Sequence, residues 1–143
     1  MNATLRKFGY PTTLLHEYPS WAVLLRQAQP TLGSLVLVCK EDATALGAVS
    51  SAAYAELSQA TADIERVLRQ AFDFQKINYL ALMMVDPHVH FHVIPRYAAP
   101  RDFEGTQCVD RGWPKPPDLS STLALTPAQL DALQAKLYSA WGG

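Results

Sequence analysis

Cysteine is scarce in this chain: Cys39 and Cys108 are far apart and form no CxxC pair. That spacing speaks against a disulfide framework and against a structural zinc site built on cysteine pairs. Free thiols in a reducing compartment are expected instead. Long apolar runs are missing too, since no window reaches the ~18 consecutive apolar residues of a membrane span. The opening MNATLRKFGYP is too polar for a secretory signal peptide, so the expected location is the cytoplasm. Charge of one sign is also lacking. Twelve Lys and Arg stand against 13 Asp and Glu, a formal net charge of −1. No broad electrostatic attraction to a nucleic-acid polymer or an anionic membrane follows from that balance. What is present is an ordinary globular mixture, 49% apolar and 17% charged. Spread over 143 residues, it suits one domain, 1–143, with a core of reasonable size.

WAVLLR (21–26) and SLVLVCK (34–40) are short runs rich in Val and Leu, separated by QAQPTLG with the turn formers Pro30 and Gly33. They predict two strands joined by a turn. Between Ser50 and Phe72, Tyr54, Leu57, Thr61, Ile64, Leu68 and Phe72 recur every three or four residues among polar neighbours. That spacing predicts an amphipathic helix capped by Ser50 or Ser51. KINYLALMM (76–84) predicts a buried strand ended by the turn chemistry of VDP, and HVHFHVI (88–94) alternates strictly as a strand does. Their short separation favours an antiparallel hairpin. Residues 98–122 hold several prolines and no period, which predicts a long loop anchored by Phe103 and Trp113. TPAQLDALQAKLYSAW then reads as a helix over about 126–140, with Thr126 as N-cap, Pro127 in the first turn, and Leu130, Leu133, Leu137 and Trp141 as its apolar stripe. The order strands, helix, strands, loop, helix predicts an α+β architecture with helices on an antiparallel sheet.

Three of the four histidines lie at 88, 90 and 92. On a strand, positions i, i+2 and i+4 share one face. His88, His90 and His92 are therefore expected to point one way, and Val89, Phe91 and Val93 into the core. Asp86 can extend the histidine face if the strand survives Pro87.

Four readings of this face compete. It is simply a polar sheet face; or it binds metal; or one imidazole is a nucleophile toward phosphorus; or it binds nucleotides without turnover. Strand neighbours two apart are separated by ~6.6 Å and those four apart by ~13 Å. The outer pair cannot easily share one zinc with bonds of ~2.0–2.1 Å. A third ligand would have to come from His16, Asp86 or Cys39. A neutral imidazole attacks phosphorus well, and the N–P bond it forms is labile. Close imidazoles disfavour each other's protonation. From a reference pKa of ~6.5, at least one ring should therefore stay neutral near pH 7. Arg96, just after the strand, is a candidate bidentate phosphate clamp or a surface residue. Trp113 is a candidate base-stacking surface or a loop anchor, and Lys115, between prolines, reads as solvated.

HVHFHVI resembles the histidine-triad (HIT) signature, His-φ-His-φ-His-φ-φ with φ apolar, and the following Pro95–Arg96 is similar to many members. PTLGSLVLVCK (30–40) and KINYLALMM sit where the family has a turn-and-strand and a penultimate strand with Asn, so the resemblance covers about 14–97. It implies an α+β fold with a five-stranded antiparallel sheet, a long central helix and a C-terminal helix, and commonly a homodimer. It implies hydrolysis or transfer at the α-phosphate of a nucleotide, such as a dinucleoside polyphosphate or a nucleoside phosphoramidate. The path runs through a nucleotidyl-histidine, and no divalent metal or other cofactor is needed in most members. By the resemblance His90 is the nucleophile, and His88 and His92 position phosphates and assist the leaving group. Asn78 matches a nucleotide-site position. Ser34 stands where the family has a supporting histidine, and Arg26 where a polar residue contacts the ribose. MMVDP replaces the family's Gly-Gln phosphate segment.

Overall fold

The computed structural model describes residues 1–142; Gly143, the last residue of the expected domain, lies outside the described residues. In chain order the elements are α1 (Ala3–Lys7), β1 (Leu14–Glu17), β2 (Trp21–Leu25), β3 (Leu35–Cys39), α2 (Ser51–Phe72), β4 (Lys76–Leu80), β5 (His90–Arg96), β6 (Arg101–Phe103), β7 (Thr106–Cys108) and α3 (Pro127–Ala140). Five strands form one antiparallel sheet in the order β1-β2-β3-β5-β4, and β6 and β7 pair separately. This is the expected α+β class with a long central helix and a C-terminal helix. No described helix is long and apolar enough to cross a membrane.

WAVLL and LVLVC lack alternation because both sheet faces are covered. Trp21, Val23, Leu25, Leu35, Leu37, Cys39 and Val93 face Ala60, Ile64, Val67 and Leu68 of α2, with Leu133 and Leu137 of α3 in the same core. Ala22, Leu24, Val36 and Val38 form the other face and pack with Leu5, Phe8, Tyr10 and Leu14. The histidines of β5 belong to this second face, because His90 pairs with Val38 and His92 with Val36. The turn from β2 to β3 depends on Gly33. It has φ +86°, and an added Cβ would lie 3.2 Å from both Leu68 and Phe72.

Several expectations need correction. The stripe of α2 holds at Ile64, Leu68 and Phe72 but is rotated in its first half: Ala53 and Ala60 are buried, whereas Tyr54 is exposed and its hydroxyl donates to the Leu46 carbonyl. Small alanines let the helix approach the sheet where a tyrosine would hold it away. The strand expected over 76–84 stops at Leu80 and is only half-buried, because it is an edge strand. The strand expected from 88 begins at His90. Within the region expected to be loop, β6 and β7 form a hairpin. Its two turn residues, Glu104 and Gly105, have φ +49° and +82°, the sign that tight hairpins require. Helix α1 and strand β1 were not expected from the local pattern.

Candidate active site

The site begins with the place where β5 starts. Val89 is held in the helix-side core, and its N–H donates to the Ala43 carbonyl. His88 therefore precedes the strand, and its ring turns to other partners. Its Nε2–H donates to the Asp42 carboxylate at 2.8 Å, and the Thr4 hydroxyl donates to its Nδ1 at 3.2 Å. The His88 N–H in turn donates to Thr4 Oγ1 at 3.2 Å. Helix α1 places Thr4 there because the Asn2 side chain caps the helix by accepting from the Leu5 N–H and donates to the Cys39 carbonyl. The His88 carbonyl, held by this clamp, accepts from His90 Nδ1 at 2.7 Å. A neutral His90 with its proton on Nδ1 presents Nε2 as a lone pair.

His92 lies beside it, the ring centroids 5.0 Å apart and nearly perpendicular. Phe8 packs against both rings at 5.6 and 5.9 Å. Burial, then the neighbouring His90 and Arg26, pushes the His92 pKa down to about 4, so the ring is neutral at pH 7. Its Nδ1 is buried without a partner among the described residues. Above the two rings opens a cavity of about 290 Å³ lined by Lys7, Phe8, Arg26, Leu82, Met84, Val85, Asp86, His90, His92 and Leu119. Lys7 and Asp86 pair across it at 3.6 Å. Arg26 donates from Nη1 to the Ala28 carbonyl at 2.7 Å, and burial lowers its proton affinity. A second cavity of about 290 Å³ adjoins this one and shares Lys7, Phe8 and Arg26.

An imidazole with Nε2 unengaged, in a cleft that also holds Lys7 and Arg26, has the groups that can meet a phosphate. A family model, the HIT domain, matches residues 10–99. The chain belongs to the HIT family. The family is one of nucleotide-binding hydrolases and transferases. Among solved structures, the fold is similar to a histidine triad protein from Bradyrhizobium japonicum, with TM-score 0.72 and 20% identity over 96% of this chain and 93% of that one. A histidine triad protein from Sinorhizobium meliloti 1021 gives TM-score 0.72 and 21% identity over 97% and 94%. A hypothetical histidine triad nucleotide-binding protein from Sulfolobus tokodaii gives 0.67 and 16% over 91% and 83%. At these identities the likeness concerns the fold. No curated protein matches the chain.

The HIT cleft brings together His90, His92, Arg26 and Asp86, but not every candidate. Arg96, expected as a phosphate clamp, is 4% exposed. Its Nε and Nη2 donate to the Asp110 carboxylate at 2.8 and 3.1 Å. Its Nη1 donates to Asn78 Oδ1 at 2.9 Å. Arg96 and Asn78 line a different cavity, of about 800 Å³, beside the free edge of β4 with Trp113 and Lys115. Ser34 is fully buried in the β2–β3 turn, where its hydroxyl donates to the Thr31 carbonyl at 2.8 Å. His16 stacks on Trp141 far from the triad, and Cys39 lies in the core. Among the described residues, no group of three His, Cys, Asp or Glu side chains is placed to hold a metal ion. Phe8, Lys7, Thr4 and Asp42 escaped sequence reasoning. Thr4, Lys7 and Phe8 arrive because α1 folds back onto β5, Asp42 comes from the segment after β3, and no local pattern announces either contact.

Proposed function

We propose that the protein cleaves a nucleotide at its α-phosphate through a covalent nucleotidyl intermediate on His90, with dinucleoside polyphosphates or nucleoside phosphoramidates as candidate substrates. The observation that carries this is the 2.7 Å bond from His90 Nδ1 to the His88 carbonyl, which leaves Nε2 free beside the cleft. Nε2 attacks phosphorus, and the carbonyl stabilises the charge that develops on the ring. Arg26 and Lys7 offset the phosphate charge, and neutral His92 can donate one hydrogen bond to a phosphoryl oxygen. His88 acts here through its carbonyl rather than its ring. Water then attacks phosphorus, and the N–P electron pair returns to Nε2. We carry the cytoplasmic homodimer of the family resemblance as part of this proposal, and light scattering checks the dimer.

The test mixes the protein with a panel of dinucleotides and phosphoramidates and follows product and intact protein mass. The expected outcome is nucleoside monophosphate release and a transient nucleotidyl adduct. His90→Ala should lose several powers of ten in kcat, because the attacking atom is gone. Equal turnover by that variant removes His90 as nucleophile. Asp86, a carboxylate facing the same cleft, favours a second reading, a nucleotide-binding module without turnover. That reading predicts calorimetric binding and no product.

A further inference from the structure

Arg26 forms part of the wall between two cavities, the histidine cleft and its neighbour of about 290 Å³. The neighbour is lined by Lys7, Phe8 and Gly9 at the end of α1 and by Arg26, Gln27 and Ala28 after β2. Asp86 lines only the cleft, so the second cavity has two cations on its wall and no carboxylate. Arg26 is half-buried, and its Nη1 donates to the Ala28 carbonyl at 2.7 Å. Its Nε is buried with no acceptor among the described residues. Burial lowers its proton affinity, and no carboxylate offsets that effect. A guanidinium left in this state gains when a ligand brings the missing acceptor. Lys7 pairs with Asp86 at 3.6 Å, but its side chain is 57% exposed. Such a pair is weak, and the ammonium is free to turn toward a ligand.

Donors and acceptors narrow the occupant. With an α-phosphate over His90 Nε2, the attached nucleoside has the second cavity beside it, across the Phe8 ring that packs on both histidines. The ribose then passes Arg26. Free ribose hydroxyls need an acceptor such as a carboxylate, and a guanidinium has no lone pair to accept with. A phosphate ester on the ribose reverses that mismatch. Its oxygens accept from the arginine fork, and its charge of about −1.5 to −2 matches two cations. Dinucleotide sites place an arginine beside a ribose phosphate for the same reason.

We propose that the cavity between α1 and the β2–β3 turn is a subsite for a phosphate carried on the ribose, so that the nucleotide bound here is phosphorylated at its 2′ or 3′ oxygen as well as at its 5′ oxygen. Arg26 selects that phosphate, with Lys7 as the second cation. The inference rests on the nucleotide reading of the histidine cleft and names the class of nucleotide. Gln27 and Ala28 are exposed, so the cavity opens to solvent and the bound phosphate keeps part of its hydration. The bond that breaks is still at the 5′ phosphorus, and the ribose phosphate leaves unchanged on the nucleoside product.

Calorimetry tests this with the 5′-monophosphates, 5′-diphosphates and 3′,5′-bisphosphates of adenosine and guanosine, and with adenosine 2′,5′-bisphosphate. At least one ribose bisphosphate should bind about tenfold or more tightly than the monophosphate and the diphosphate of its base. The diphosphate carries its added phosphate in the chain, so it separates position from charge. Arg26→Gln should bring bisphosphate and monophosphate within about threefold of each other. Gln27→Glu keeps Arg26, sets a carboxylate on the wall of the second cavity, and should narrow the gap severalfold. Bisphosphates no tighter than monophosphates, a diphosphate as tight as the bisphosphates, an unchanged gap in either variant, or no binding at all overturns the proposal. Mass spectrometry with adenosine 5′-phosphoramidate, with and without a 3′-phosphate, separates the two ideas. A bisphosphate preference without a nucleotidyl adduct from either compound removes His90 as nucleophile and keeps the subsite. An adduct without a bisphosphate preference does the reverse.

Discussion

At the scale of residues, the two buried histidines differ through their surroundings. His90 has a carbonyl for its Nδ1 proton, whereas the buried Nδ1 of His92 has no partner among the described residues. The consequence is a pH effect whose sign follows from linkage. The His92 pKa is lowered on folding from 6.5 to about 4, so between those values the unfolded chain binds a proton that the folded chain refuses. Stability therefore falls as pH drops from 6.5 toward 4, by at most ~3 kcal/mol from this ring. Urea midpoints should fall less steeply over that window in His92→Gln than in the native protein, whatever their offset at pH 7. Equal slopes would show that another group dominates. The motif itself was legible at this scale, because three histidines at two-residue spacing need only a strand to gather them. The separate fate of His88 was not, since it depends on Val89 bonding to Ala43 and on Thr4 arriving from α1.

At the scale of elements, local signals worked where they were local. Ser50 accepts from the Ala53 N–H, and Thr126 with Gln129 closes a capping box, so both helix starts stood in the sequence. The rotation of the α2 stripe did not, because Ala53 and Ala60 carry little hydrophobic weight and are buried only by the approach of the sheet. That close approach also makes the β2–β3 turn intolerant. Gly33→Ala places a Cβ at positive φ and 3.2 Å from Leu68 and Phe72. We expect a loss of at least ~1 kcal/mol, read from denaturant unfolding, since alanine pays for φ and for packing together. A stability equal to the native protein's would mean that the turn relaxes to negative φ.

At the scale of the molecule, Asp110 ties the segment after β7 to the end of β5. Its carboxylate accepts from Arg96, from the Tyr97 N–H and from the Gly112 N–H. Asp110→Ala leaves a guanidinium that is 4% exposed without its partner, and should cost ~3–5 kcal/mol. Replacing both members, Arg96→Met with Asp110→Leu, should recover most of that loss, because the destabilisation comes from the orphaned charge. If the double variant is as unstable as the single one, the carboxylate matters chiefly through its backbone contacts. Either outcome is read from the unfolding midpoint. The same pair explains why Arg96 is a poor phosphate clamp, and no feature of "IPRY" reveals it, since its partner lies 14 residues away.

Sequence alone determined the strand and helix periods, the helix caps and the histidine pattern that resembles the HIT signature. All of these are written in residue spacing over one or two turns of chain. Tertiary structure decided which polar groups remain available. It pairs Arg96 with Asp110, buries Ser34 in a turn, and turns His88 toward Thr4 and Asp42. It also folds α1 over β5, which sets Phe8 and Lys7 beside His90 and His92. Contacts of this kind join residues as many as 84 positions apart. They follow from how the layers pack against one another, which spacing along the chain does not encode.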